Sequence, residues 1–220
     1  MITYEAPLEE FKFLLHEFLK ISEQEILGFN DLTPEFTSEI LGMGSKIAKE
    51  VLLPLNRSGD IEGCKFENGL VRTPEGFQEA FAEIRKGGWP SLDCDPLYGG
   101  QGLPMTLSLV LGEMFSSCNI SLTIYQALTH GAYAAILEHG SNEQKELYLP
   151  KLATCEWTGT MNLTEPHCGT DLSMIKTKAE AQSGNRYKIT GQKIFISSGD
   201  HDLSENIIHL VLAKIPGGPE

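Results

Sequence analysis

The stretch Met161 to Asp171, MNLTEPHCGTD, concentrates hydroxyls, carboxylates and a glycine in one loop, directly after a segment that alternates like a β-strand. A polar turn rich in Gly and Thr directs N–H and O–H donors that no regular structure uses, either at a phosphate or heteroaromatic ring or at its own neighbours as a cap. A second stretch, KIFISSGDHD from Lys193 to Asp202, reads as a strand that sets Phe195 and Ser197 on one face, an aromatic plane beside a hydroxyl. Its plainer reading is a buried Phe and an edge Ser. Other candidates are weaker. Tyr98-Gly-Gly-Gln-Gly102 lacks G-x-G-x-x-G spacing, a following Lys-Ser/Thr and a preceding strand, so a turn between helices is expected. The six histidines fall at no metal-ligand spacing, and no carboxylate pair or Ser/His/Asp set is identifiable, so no metal and no catalytic group is assigned.

The elements that must position these stretches change period along the chain. Phe11, Leu14, Leu15 and Phe18 recur on one helical face within a helix expected over Leu8 to Leu27. Thr33-Pro34-Glu35 is an N-cap followed by Pro at the first helical position, opening a second helix through Phe36, Ile40, Met43, Ile47 and Val51 until Pro54. The same signal at Thr73 opens a third, with Phe77, Phe81 and Ile84, ended by Gly87-Gly88. Helices follow through Leu107, Val110, Leu111 and Met114, and around Ala127 to His139, where Gly140 stops the run. Ser141-Asn-Glu-Gln144 has the form of a capping box leading into Leu147. After Trp157 the period becomes 2. Ile175 to Ala181, Arg186 to Thr190, Lys193 to Ser197 and Ile207 to Ile215 read as strands of an antiparallel β-region, unfinished at IPGGPE and therefore read as part of a longer chain.

Thirty acids against 17 Lys and Arg leave a net charge of −13, which argues against nucleic acid as a partner. Ten of those acids, against four bases, lie in residues 1–50, as on the solvated side of amphipathic helices. The sequence holds no run near the roughly 20 apolar residues of a membrane span, and acids stand where a targeting signal would have bases. Five widely spaced cysteines without CxxC fit neither a disulfide framework nor a zinc site. A reducing cytoplasm is the expected location.

Taken together, PLYGGQGLP, SNEQKELYLPKLATCEW, LTEPHCGTD and GQKIFISSGDHD resemble the acyl-CoA dehydrogenase family, along most of the chain and including an N-terminal extension, APLEEFKFLL. Where that family usually has Thr-Glu-Pro, two small residues and Gly-Ser/Thr-Asp, this chain carries the bulkier His167-Cys168 between Pro166 and Gly169. The resemblance implies an α+β fold. It divides the chain into an N-terminal helical extension (1–34), a helical domain (35–156) and an incomplete antiparallel β-domain (157–220), with the family's C-terminal helical bundle absent. It implies FAD as cofactor: Met161, Leu163 and Thr164 lining the flavin ring, Gly169 and Thr170 meeting the pyrophosphate, Thr170 also near the substrate. Phe195 matches a position where the family commonly has Trp packed on the flavin. Ser197 matches a Thr that donates towards flavin N5, and Ile196 belongs to the same cofactor-binding set. The implied reaction is α,β-dehydrogenation of an acyl-CoA thioester to the enoyl-CoA, with an electron-transferring flavoprotein as acceptor and a homo-oligomeric full-length protein. The catalytic base belongs to the absent bundle, so Glu165 is not given that role and this chain alone is expected to be inactive. The extension and GDHD are most similar to the branch that includes methylthiopropionyl-CoA dehydrogenases and enzymes of long or bulky acyl chains. An acyl-CoA oxidase, or a non-catalytic acidic helical module that binds proteins, are the alternatives.

Overall fold

Thr33 caps its helix as its residue type predicts: in the computed structural model, which describes residues 3–26 and 28–218, its side chain accepts a hydrogen bond from the Phe36 N–H at 3.2 Å, with Pro34 in the first turn. Helix α2 (Pro34–Lys46) passes through a wide, π-helical segment at Ile47–Leu52 directly into α3 (Leu53–Glu62). The expected stop at Pro54 therefore does not occur. A proline removes one N–H donor and crowds the preceding turn, and the wider winding just before it lets the helix continue. The first helix departs from expectation in the opposite sense. α1 (Leu8–Lys12) loosens into a π-helical turn at Phe13–Phe18 and ends at the left-handed Lys20. The change of winding breaks the predicted face, so Phe11 and Leu15 are buried while Leu14 and Phe18 face solvent. Leu27, the expected end of that helix, lies outside the described residues.

A short hairpin, β1 (Lys65–Glu67) and β2 (Leu70–Arg72), turns on Asn68-Gly69, both with positive φ. That is the residue pair such a two-residue turn favours, and the periodicity reading passed over it. Helix α4 (Phe77–Lys86) starts three residues later than its Thr-Pro-Glu signal implied. Thr73 is otherwise engaged: its N–H and hydroxyl both donate to the Asp202 carboxylate, at 3.1 and 2.7 Å, which ties the helical region to the strand region.

The longest helix, α5 (Met105–His139), is two helices joined at Asn119, whose φ of −159° is non-helical. Asn119 is fully buried, and both its amide oxygen and its amide nitrogen are hydrogen-bonded. Oδ1 accepts from the Leu122 N–H at 3.1 Å, capping the second half, and Nδ2 donates at 3.2 Å to the carbonyl of Leu52 in the wide turn. By length and composition alone α5 could cross a membrane. Here it is the central helix of the apolar core, with Leu107, Leu111, Met114, Phe115, Cys118 and Leu122 buried against α2, α3 and α4. Helix α6 (Asn142–Ala153) opens with the full capping box of Ser141 and Gln144.

Beyond Glu156 the chain forms two strand pairs. β4 (Lys178–Ala181) and β5 (Tyr187–Thr190) are antiparallel, as expected. β3 (Trp157–Asn162) and β6 (Asn206–Val211) pair in parallel, Trp157 opposite Asn206. Parallel neighbours need a long crossover, and residues 163–205 supply it. β3 lies on the second half of α5, where Gly159 lets the backbones meet: a Cβ there would fall 2.4 Å from that of Ala132. The Gly159 N–H donates to the Thr129 hydroxyl at 3.1 Å. Lys193–Ser197, expected as a strand, is an irregular loop with Phe195 and Ser198 in the left-handed region.

Candidate functional site

The loop after β3 and the loop around Phe195 both lie on the crossover, and Glu165 joins them. Its carboxylate, 3% exposed as a residue, accepts from the N–H groups of Lys176 (2.7 Å) and Thr177 (3.0 Å) and from Lys193 Nζ (2.9 Å). Hydrogen bonds from Thr177, the Lys176 N–H and the Lys193 ammonium outweigh desolvation and hold the carboxyl far below the usual carboxylate range. Such a group keeps its charge and accepts no proton near neutrality, so it is a clamp and not a general base. Lys193 also donates to the Leu163 carbonyl at 2.9 Å, and the Ile194 N–H donates to the Thr164 carbonyl at 3.0 Å. Two motifs about 30 residues apart are thus fastened backbone to backbone.

Glu165 and Cys168 close a tight turn by exchanging backbone hydrogen bonds of 2.8 and 3.2 Å. The turn does not depend on Gly169, which follows it with no positive φ. A Cβ at Gly169 would lie 3.5 Å from the Thr164 methyl, in ordinary contact. The bulky His167 is accommodated by pointing outward, its Nε2 2.9 Å from the Met174 carbonyl. Asp171 caps the next turn through Ser173, so that part of the loop does serve its neighbours.

The residues selected from sequence fall on both sides of this clamp. Met161, on β3, and Gly169, Thr170 and Ser197 are exposed; Leu163, Thr164 and Ile196 are half-buried. Phe195 is 89% exposed. A non-glycine residue in the left-handed region costs energy, and such strain collects at ligand clamps. With the expected strand replaced by this loop, Phe195 and Ser197 share no strand face. Their shared surroundings come from the hydrogen bonds to Leu163 and Thr164. Among the described residues, the N–H groups of Gly169 and Thr170 and the hydroxyls of Thr164, Thr170 and Ser197 have no hydrogen-bond partner. Neutral donors around a bare aromatic face fit a ligand that joins a phosphate to a planar ring, and so fit FAD.

Lys193, Thr177 and Asp202 were not singled out by sequence reasoning. Lys193 lay in the signal of the KIF run, but its partner is 28 residues away and no spacing announces it. The Gly-Gly-Gln-Gly turn is spent internally. Gly100 N–H donates to the Asp95 carbonyl, Gln101 N–H to Ser91 and Gly102 N–H to Cys94, while a Cβ on Gly100 would lie 1.9 Å from the Cys94 oxygen.

His201 of the GDHD segment is buried beneath β3. Its Nδ1 accepts from the Leu203 N–H at 3.1 Å, so Nε2 carries the proton and donates to the Thr158 hydroxyl at 3.0 Å. Burial holds its pKa below the ordinary imidazole value.

On α5, Thr123, Gln126, Ala127 and His130 line one wall of a cavity of about 500 Å³. Trp89, Met105, Leu109 and Phe115 make the rest of it largely apolar. Ser108, Glu113 and Ser116 also line it, as do Asp93 and His130, whose Oδ2 and Nε2 are 3.0 Å apart. Burial opposes ionisation of Asp93, yet the hydrogen bond and charge of His130 prevail and keep its carboxyl below the usual range. The same hydrogen bond raises the pKa of His130. Two groups, Asp93-Cys94-His130 and Glu165-His167-Cys168, bring possible metal ligands within 4.8 Å of one another. In each the carboxylate is already committed, and burial pushes the Cys94 thiol up to about 12, where it does not ionise near neutrality.

A helical layer feeding a β-segment whose crossover presents an aromatic plate and free donors is an arrangement that fits a flavoprotein. Residues 38–156 match the model of the acyl-CoA dehydrogenase N-terminal domain. The chain belongs to the acyl-CoA dehydrogenase family. It is 40% identical, over its whole length, to a 3-methylmercaptopropionyl-CoA dehydrogenase of Ruegeria pomeroyi, and covers 37% of that protein. It is 36% identical to a butyryl-CoA dehydrogenase of Syntrophomonas wolfei, over 97% of this chain and 36% of that protein. Among solved structures, an acyl-CoA dehydrogenase from Bacillus anthracis complexed with FAD superposes with a TM-score of 0.66 at 28% identity, covering 84% of this chain and 30% of the other. The chain therefore spans little more than a third of the curated relatives it matches.

Proposed function

We propose that this chain supplies the FAD-binding face and part of the acyl-CoA pocket of a flavoprotein that α,β-dehydrogenates acyl-CoA thioesters to enoyl-CoA, with an electron-transferring flavoprotein as acceptor. The observation that carries this reading is Phe195: a nearly fully exposed aromatic in a left-handed backbone conformation, fastened through Ile194 to the Thr164 loop. Phe195 would pack against the flavin ring beside Met161, Leu163 and Ile196. Thr164 and Ser197 would donate to its polar edge, and Gly169 and Thr170 to the pyrophosphate, with Thr170 also near the substrate. When bound, the flavin would supply the hydride acceptor. The chain's own residues would orient the ring and hold the loop around it. Glu165 fixes that loop and removes no α-proton; the base would come from a part of the relatives that these residues do not span. The cavity on α5 offers apolar space for an acyl chain. The name of the Ruegeria relative favours a short thioether-bearing acyl group among the substrates. A homo-oligomer and a cytoplasmic location complete the reading.

The test is the visible spectrum of the purified chain after incubation with FAD and removal of free ligand. A retained, perturbed flavin band that is lost in Phe195→Ala is expected. Equal retention by the variant would sink the assignment of Phe195 as the ring's platform.

A further inference from the structure

We infer that Asp202 is a positioning residue for the flavin site: by fastening the far end of the Phe195 loop to the entrance of α4, it holds Phe195 where the proposed ring contact requires it. This rests on the reading of Phe195 as the platform of the ring and adds what keeps that platform in place. Residues 195–200 do little to fix themselves. Phe195 and Ser198 both have left-handed backbones, and the Ser198 hydroxyl is buried without a hydrogen-bond partner among the described residues. Among those residues, the one backbone hydrogen bond made within the segment runs from the Gly199 N–H to the Ile196 carbonyl, at 3.3 Å. Strained residues of this kind persist only where their surroundings over-determine them, so the conformation is imposed largely from its two ends. Lys193 and Ile194 fasten the near end, through Glu165, Leu163 and Thr164.

His201 to Ser204 fasten the far end to β3, to α4 and to the helical core. His201 donates to the Thr158 hydroxyl, which in turn donates to Ser204 Oγ at 3.0 Å, since the Ser204 proton goes to the Asn206 carbonyl at 3.0 Å. Leu203 is buried in the helical core, and the Tyr125 ring of α5 meets His201 edge-on, with centroids 4.9 Å apart. Asp202 makes the contact with α4. Besides the two Thr73 bonds to its carboxylate, Gln78 Nε2 donates to its carbonyl at 3.1 Å. Thr73 is diverted from its helix to do this. At Thr33 the same Thr-Pro-Glu signal caps the helix that follows, whereas at Thr73 both donors go to Asp202. Two donors converging on one carboxylate oxygen make a strong, directional fastening.

The test compares Asp202→Ala, Thr73→Val and Thr73→Ser with the unaltered chain. Amide exchange is read without flavin, then FAD affinity and the circular dichroism of the bound flavin. In Asp202→Ala the amides of residues 195–199 are expected to exchange roughly tenfold faster while those of α5 do not change. FAD is expected to bind roughly tenfold more weakly, with an altered flavin dichroism, as the fraction of chains with the loop in place falls. Thr73→Val, which removes the hydroxyl and keeps the N–H, should weaken binding roughly threefold, and Thr73→Ser, which keeps both donors, should restore affinity and dichroism. Unchanged exchange and affinity in Asp202→Ala overturn the inference. So does a loosening of α5 equal to that of the loop, with the dichroism of the bound flavin unaltered, because Asp202 then serves stability alone. If the unaltered chain binds no FAD, the flavin reading falls and the positioning role with it, while faster exchange at residues 195–199 would still show Asp202 to be the anchor of the loop. The two Thr73 variants change one or two atoms at a half-buried side chain, so the comparison decides the matter even where Asp202→Ala does not fold.

Discussion

The helical region and the strand region put their polar groups to different uses. Up to Ala153, buried side chains are chiefly apolar and polar groups mostly end helices: Thr33 and Ser141 at N-termini, Asn119 at the joint inside α5. From Trp157 onward the buried set includes Thr158, Thr160, Glu165, Thr177 and His201. There, hydrogen bonds and one ion pair fix loops that make little apolar contact. The first arrangement resists change because its core is close-packed. The second fixes geometry at a few atoms, which is what a ligand-binding loop requires.

The comparison is broken most severely in the helical core. Phe81→Ala, which empties a fully buried site, should cost about 3–5 kcal/mol by urea unfolding. A loss below about 1 kcal/mol would mean that the core is not close-packed there. Asn119→Ala should cost about 2 kcal/mol, since it removes a cap and leaves the Leu52 carbonyl without its partner. Its mark should be faster amide exchange at the start of the second half of α5.

Acid should separate the two regions. His201 has a lowered folded pKa, so the unfolded chain takes up that proton first and stability falls as the pH drops below the ordinary imidazole value. Glu165 has a depressed folded pKa; its contribution is complete above the ordinary carboxylate range and is lost as the pH falls through the folded value. His130 runs the other way. Its raised pKa contributes fully below the ordinary imidazole value and is lost as the pH rises through the folded one. Amide exchange compared between about pH 7 and about pH 4 should therefore show residues 157–211 loosening before the α5 core. Simultaneous loosening would contradict the division.

The smaller effects sharpen the same contrast. Ser141→Ala should cost about 1 kcal/mol, confined to the first turn of α6. Glu165→Gln should release the amides of Lys176, Thr177 and Ile194 and abolish flavin retention. Unchanged amide protection would remove Glu165 from its place at the centre of the loop.

The helix caps at Thr33 and Ser141, the turn nature of the Gly-Gly-Gln-Gly loop and the change from helical to strand period were legible because each depends on residues within a few positions. Family membership was legible for a related reason: runs such as LTEPHCGTD and GQKIFISSGDHD are local signatures. The parallel pairing of β3 and β6 was not, because strand direction depends on partners 49 residues apart and an alternating strand looks the same either way. The passage of α2 into α3 beyond Pro54 was hidden in a change of winding that composition does not encode. For the candidate site, sequence supplied Thr164, Gly169, Thr170, Phe195 and Ser197 as residue types. Only tertiary structure decided that Phe195 leaves the strand conformation to face solvent, that Glu165 is a clamp held by Lys193, and that Asp93 meets His130 in a cavity wall. Each of those outcomes is a pairing of groups distant along the chain, and the energy that selects it exists only once the fold has brought them within hydrogen-bonding distance.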